Sequence, residues 1–189
     1  MTLGHGEKAV QVDTQRCNVK HRGKVRPARL LTVSSVLPMP LADAWERVQM
    51  PALLQFVARG MIRFLPLDSL PQRWKAGQTY RVRMRLFGFL PFGGVHHLHV
   101  ESVDAGSATI QTREWNAMIP VWQHRIRLRA VEGGVHYEDR ILIYAGLLSL
   151  PVTLFASFFY RHRQRRWQLV ARGLPDAAAP GGGGGGDRR

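Results

Sequence analysis

Thr79-Tyr80-Arg81-Val82-Arg83-Met84-Arg85-Leu86-Phe87 is the stretch on which the fold class turns. Tyr80, Val82, Met84 and Leu86 alternate with Arg81, Arg83 and Arg85. Successive side chains of a strand point to opposite faces, so the stretch is a β-strand with one dry and one wet face. The pattern returns at 122–131, where His124, Ile126, Leu128 and Ala130 share one face and Arg125, Arg127 and Arg129 the other. Further strands are expected at 95–103, 108–115 and 135–144. Asp104-Ala105-Gly106-Ser107, residues 116–121 and Glu132-Gly133-Gly134 separate them, and short connections of this chemistry join strands into an antiparallel meander.

Upstream, residues 30–37 carry Thr32, Val33 and Val36 and read as a strand that Pro38 and Pro40 end. Leu41, Ala44, Trp45 and Val48 follow at helical spacing, giving a short helix. Residues 50–57 offer a second short helix before Gly60, and 61–67 a short strand. Downstream, 141–160 runs without a charge between Arg140 and Arg161, long enough to span a bilayer. Strand, turn and helix is the better reading: 141–144 completes an alternating strand, Gly146 breaks it, and Ser149 caps a helix with Pro151 in its first turn. That helix, from Pro151 to about Arg172, presents Leu154, Phe155, Phe158, Phe159 and Leu169 on one broad face, with His162 and Arg166 inside the stripe.

Composition sets the frame. The chain has 189 residues, 45% hydrophobic, which suits one globular domain and excludes a wholly disordered or collagen-like protein. Residues 1–28 show no sustained period and read as a basic, disordered arm; 29–174 form the domain. Residues 175–189, with six consecutive glycines at 181–186, read as a disordered tail. The glycine run is no phosphate-binding loop, since it lacks a preceding strand and a Lys-Ser/Thr pair. Cys17 is the only cysteine, so no intrachain disulfide forms, and no apolar segment marks a secretory signal. The expected compartment is the cytoplasm. The net charge is +14, and arginine supplies most of it, so the surface invites an anionic partner.

Several strings resemble the SRPBCC superfamily, the START-like or helix-grip proteins, and in particular its polyketide cyclase/dehydrase-like and cell-division-inhibitor-like members. They are Leu37-Pro38-Met39-Pro40 leading into Ala44-Trp45, Leu86-Phe87-Gly88-Phe89-Leu90-Pro91-Phe92, Trp122-Gln123-His124, Tyr137-Glu138-Asp139-Arg140 with Tyr144, and Phe159-Tyr160-Arg161-His162-Arg163. The resemblance spans about residues 29–174. It implies an α+β helix-grip fold, a curved antiparallel sheet wrapped around a long C-terminal helix with two short helices after the first strand. It also implies an apolar cavity between sheet and helix that binds, or transforms, a hydrophobic small molecule. A fold does not carry a reaction with it.

By alternation, Tyr80, Val82, Met84, Leu86, Ile126 and Leu128 line that space, with His96 and Trp122 beside them and Leu154, Phe155 and Phe158 closing from the helix. The same side chains equally suit a solid core. Inward polar groups discriminate better, because burying one unpaired costs on the order of 1 to 3 kcal/mol. His124 shares a face with Ile126, and Asp139 alternates with Ile141 and Ile143, so the two pair if the register agrees. The pair either orients His124 as a catalytic general base for a cyclisation or dehydration, or is a satisfied structural hydrogen bond. His162 and Arg166 would then add a proton donor and an anion clamp. His97 and His99 share a strand face from which His96 points away, so no metal set is recognisable, and no motif calls for a cofactor. The outward arginines of 79–87 and 122–131 would form one positive stripe if their strands lay close, with a further cluster at 161–166. That gives the alternative reading: an interaction module docking on an anionic membrane or nucleic acid. Nucleic acid is not expected, because no RNP-type aromatic signature or zinc finger accompanies the charge.

Overall fold

The computed structural model describes residues 9–173. Eight strands form one antiparallel sheet: β1 (Gln11–His21), β2 (Lys24–Leu37), β3 (Ile62–Pro66), β4 (Thr79–Leu86), β5 (Leu90–Asp104), β6 (Thr109–Trp115), β7 (Val121–Val131) and β8 (Gly134–Tyr144). Their order is β1-β2-β8-β7-β6-β5-β4-β3. Two short helices, α1 (Leu41–Val48) and α2 (Pro51–Ala58), follow β2, and a 23-residue helix, α3 (Ser149–Ala171), closes the described chain. This is the α+β arrangement expected from the sequence.

The meander β4 to β8 obeys the alternation that predicts it. In β4 Tyr80, Val82, Met84 and Leu86 are buried and the arginines between them exposed. In β8 Val135, Tyr137, Asp139, Ile141 and Ile143 face inward. Tight turns hold the strands in register, and Gly134 is required where β8 begins. Its φ is 140°, and a Cβ there would lie 2.0 Å from the Leu37 carbonyl oxygen. A second irregularity bends β5, whose register on β4 slips between Arg83 and Met84 opposite Gly93 and Gly94.

Three expectations need correction. Residues 11–28 are no loose arm: β1 pairs with β2 along its whole length, from Gln11 opposite Ser34 to His21 opposite Lys24. Both faces of β1 and of the first residues of β2 are largely exposed, which removes the apolar period that would have betrayed them. Residues 1–8 and the tail at 175–189 lie outside the described residues. As expected, 141–160 divides into the end of β8, a 3₁₀ turn (Gly146–Leu148) and the start of α3. Among the described residues no helix is long and apolar enough to cross a membrane. Secondly, Ser149 opens α3 without the expected cap, its Oγ instead accepting from the Ala145 N–H and donating to the Gly146 carbonyl.

Thirdly, α3 is rotated from the face its apolar residues suggest. Leu154 and Phe158 are 54% and 62% exposed, while Val152, Ala156, Phe159, Tyr160, Arg163, Gln164 and Trp167 are buried. The helix lies across β2 and is pinned to it by side-chain amides: Gln164 Nε2 donates to the Val33 carbonyl at 3.3 Å, and Gln168 Nε2 to that of Val36 at 3.1 Å. Ser35 Oγ bonds Gln164 Oε1 as well. Besides a smaller cluster of Tyr80, Leu98 and Val100, the apolar core has two main clusters. One joins α1 and α2 to Leu37, Leu128, Tyr137, Trp167 and Val170; the other joins α3 to Leu31, Val33, Ile141 and Ile143.

Candidate functional site: a cavity with one polar wall

The sheet and α3 do not meet everywhere, and a cavity of about 320 Å³ separates them. That is the lower end of the range used by small-molecule sites. Its apolar end is built by Ile62 and Phe64 of β3, Met84 and Leu86 of β4, Phe92 of β5, and Phe155 of α3. Trp122 and Ile126 of β7, with Phe159 and Tyr160 of α3, continue the lining. The polar lining groups gather on the inward faces of β5, β6 and β7 and on mid-α3: His96, Thr112, Glu114, His124 and Arg163.

Those groups belong to two sets of buried hydrogen bonds that face each other across the cavity wall. Asn116 Oδ1 accepts from the Met118 and Ile119 N–H groups at 2.9 and 2.8 Å, which fixes its amide. Its Nδ2 therefore donates to His96 Nδ1 at 3.3 Å, and His96 donates from Nε2 to Glu114 Oε2 at 2.8 Å. Thr112 Oγ1 donates to the other Glu114 oxygen at 2.7 Å. Gly93 makes room for Asn116, since a Cβ there would lie 2.5 Å from Asn116 Nδ2. His124 faces two carboxylates. Its Nε2 donates to Asp139 Oδ1 at 2.8 Å, and its Nδ1 stands 4.0 Å from Glu114 Oε1. Behind it, Asp139 also accepts from Tyr137 OH at 3.1 Å and Gln164 Nε2 at 3.0 Å. Arg163 Nη2 lies 3.8 Å from Asp139 and donates to Tyr137 OH at 3.0 Å.

The wall is built around two buried carboxylates. Burial alone would raise both, yet Asp139 is held below the usual carboxylate range by the Arg163 charge and the His124 hydrogen bond. Glu114 is held low against the same burial, chiefly by the hydrogen bond from His96. Burial pushes the Tyr137 and Tyr160 hydroxyls up, so both stay neutral donors. Arg163 Nε and Trp167 Nε1, one helical turn apart, are buried without a hydrogen-bond partner.

No family model matches the sequence, and no curated protein does. Solved structures do. Ms6760 from Mycobacterium smegmatis superposes with a TM-score of 0.59 at 13% identity, covering 76% of this chain and 91% of that one. CV1439 from Chromobacterium violaceum gives 0.57 at 13% identity over 75% and 96%. CalU16 from Micromonospora echinospora, solved by NMR, gives 0.57 at 12% over 95% and 81%. The chain has the helix-grip fold. Identities this low establish the fold and carry no activity.

Within the helix grip, Met84, Leu86, His96, Trp122, His124, Ile126 and Phe155 line the cavity. Tyr80 is buried away from it, its ring 5.4 Å from that of Trp74. Val82 and Leu128 are buried in the packed interior. Asp139 stands behind His124 and is fully buried. Leu154 and Phe158 face outward, contrary to expectation. The two helix groups assigned to developing charge do not line the cavity either: His162 Nε2 donates to the Arg59 carbonyl, and Arg166 Nε to that of Phe56, at the end of α2. The arginines of β4 and β7 do not merge into one stripe, because β5 and β6 lie between their strands. The cluster at 161–166 is broken too, since Arg163 and Gln164 point inward. The three histidines of β5 occupy separate settings: His96 on Glu114, His97 stacked on Trp115, and His99 beside Thr79 Oγ1.

Sequence reasoning missed Glu114, Thr112, Asn116, Tyr137, Tyr160, Arg163 and Gln164. For Glu114 and Thr112 a signal existed: both share the parity of the buried Ile110 on β6. For Arg163 and Gln164 it lay in the Tyr160 and Trp167 that flank them at helical spacing.

Proposed function

We propose that the protein binds an apolar small molecule in the cavity between sheet and α3, with one oxygen-bearing end against the Glu114–His124 wall. The observation that carries this reading is the segregation of the lining, hydrogen-bonded polar groups on one wall and apolar side chains opposite. The chemistry of the wall narrows the ligand. A carboxylate head group would face the Glu114 carboxylate at low dielectric, and the Arg163 charge is already matched by Asp139. A neutral hydroxyl, able to donate, suits the space beside Glu114 Oε1 and His124 Nδ1, which stand 4.0 Å apart. An acceptor on the ligand would also suit the α3 wall, where Arg163 and Trp167 each hold an unpartnered donor.

Mass spectrometry of small molecules extracted from the natively purified chain tests the reading. It predicts an apolar, oxygen-bearing compound at near-stoichiometric level; a polar metabolite or an anionic one in its place contradicts it. A direct comparison is 2-naphthol against 2-naphthoate. The neutral compound should bind at least about tenfold tighter, a 1.4 kcal/mol difference.

A second reading has its own observation. His124 lines the cavity while Asp139 behind it holds the ring through Nε2, so Nδ1 is the nitrogen directed away from Asp139. This supports acid/base chemistry on a bound carbonyl compound, of the cyclisation or dehydration class, with Asp139 as the positioning residue. His124→Ala should then abolish turnover of a confirmed substrate while leaving its binding within a few fold; full turnover would remove His124 from the chemistry.

A further inference from the structure

The described surface gathers its largest exposed apolar side chains in one place. Phe87 and Phe89 project from the turn between β4 and β5; Leu147, Leu150, Leu154 and Phe158 project from the 3₁₀ turn and the first half of α3. The two segments meet, because the Phe87 ring stands edge-on to Phe155 with centroids 6.3 Å apart. Phe89 is 72% exposed and Leu147 wholly so. Isolated exposed leucines need no explanation, whereas a contiguous patch of this kind marks an interaction surface.

The patch is also the rim of the cavity. Leu86, Phe92, Leu148, Pro151 and Phe155 line the cavity and belong to the same two segments. A ligand leaving the cavity past them crosses an apolar surface throughout.

Charge decides what covers the patch. Along the exposed stripe of α3, Leu150, Leu154 and Phe158 give way to Arg161 and Arg165. On the other side, Arg63 of β3 and Arg85 of β4 are cross-strand neighbours, and Arg85 lies two residues from Phe87. Residues 59–67, 79–100 and 141–173 contain neither aspartate nor glutamate. An oily rim inside a basic collar, with no carboxylate in the segments that build it, complements a surface that is hydrocarbon in its interior and anionic at its headgroups.

We infer that this rim docks on an anionic lipid bilayer, with Phe87, Phe89, Leu147, Leu150, Leu154 and Phe158 entering the boundary between headgroups and acyl chains and Arg161 and Arg165 resting on the headgroups. The helix lies on the membrane and does not cross it. The cavity mouth then opens onto hydrocarbon, so an apolar molecule passes between protein and bilayer without entering water. Docking does not depend on what the cavity holds, and it fails or succeeds separately from the ligand reading.

Flotation of the full chain with phosphatidylcholine vesicles, with and without phosphatidylglycerol as a minor component, tests the inference. The chain should float with the anionic vesicles. Leu154→Asp with Phe158→Asp should lower its partition by at least about tenfold. Arg161→Glu with Arg165→Glu should lower it and flatten its dependence on salt. All four positions are exposed, so the urea midpoints should match the parent's, and Phe89→Asp on the β4–β5 turn provides an independent variant should the helix pair fold poorly. A parent chain left unbound by both vesicle types overturns the inference, as does undiminished flotation of the Leu154/Phe158 or Phe89 variants. Sedimentation velocity supplies a third contradiction: a parent dimer that the Leu154/Phe158 pair converts to monomer would assign the patch to a second copy of this chain.

Discussion

The two ends of the cavity differ in what holds them. At the end bounded by Ile62, Phe64, Leu86, Phe92 and Phe155 the lining is hydrocarbon and aromatic ring, and packing alone sets its shape. At the other, Asn116, His96, Thr112 and Glu114 form one hydrogen-bonded group and His124, Asp139, Tyr137, Gln164 and Arg163 a second, the two meeting where Glu114 Oε1 and His124 Nδ1 stand 4.0 Å apart. The difference teaches that the polar end is the more rigidly specified. A buried network is costly unless every member is satisfied, so removing one group disturbs the rest, whereas an apolar wall beside an existing void tolerates change.

The largest effect should come from breaking the network at its most buried charge. Asp139→Asn leaves Arg163 without its counter-charge, and losing one partner of a buried pair costs roughly 3–5 kcal/mol. Urea denaturation checks this, and a loss below about 1 kcal/mol would show that the network is not under load. Next comes packing. Ile141 is fully buried in the solid core, and Ile141→Ala should destabilise by about 2–5 kcal/mol. Met84→Ala, whose side chain borders the cavity, should cost clearly less. Equal losses would mean that the space near Met84 is as tightly filled as the core.

Acid provides a third break. Asp139 and Glu114 titrate lower in the folded chain than free carboxyls, whose pKa is about 4. Their ionisation therefore contributes stability that is fully present above that value and is lost as the pH falls through the folded-state values. The urea midpoint should hold between about pH 7 and pH 5 and decline below about pH 4. In Asp139→Asn the decline should be shallower, and an identical profile would dissociate Asp139 from it. The smallest effect sharpens the comparison at the polar wall alone: Glu114→Gln should narrow the preference for 2-naphthol over 2-naphthoate by several fold, because the repelling charge is gone. An unchanged preference would take Glu114 out of ligand discrimination.

The sheet was legible in the sequence because its strands have one wet and one dry face. Arginines at alternate positions in 79–87 and 122–131 made the period plain, and the inward parity of His124 and Asp139 led directly to their pairing. Strand β1 and the first residues of β2 were not legible, because they meet water on both faces over much of their length and no period arises. The inward face of α3 misled for the opposite reason. Its first half is apolar almost all round, so hydrophobicity could not choose a side, and the face that the sheet covers carries Arg163 and Gln164. Polar residues whose burial depends on partners from other strands leave no local trace. Glu114 was the exception, its parity available but unread.

Titration of the chain with the neutral probe N-phenyl-1-naphthylamine, alongside an Ile126→Trp variant of matched stability, bears most directly on the cavity as a binding site. Ile126 lines the space, and an indole there fills it from the sheet side. Saturable one-to-one fluorescence enhancement in the parent, lost in the variant, is the predicted result. Equal enhancement in both chains, or none in the parent, would contradict it.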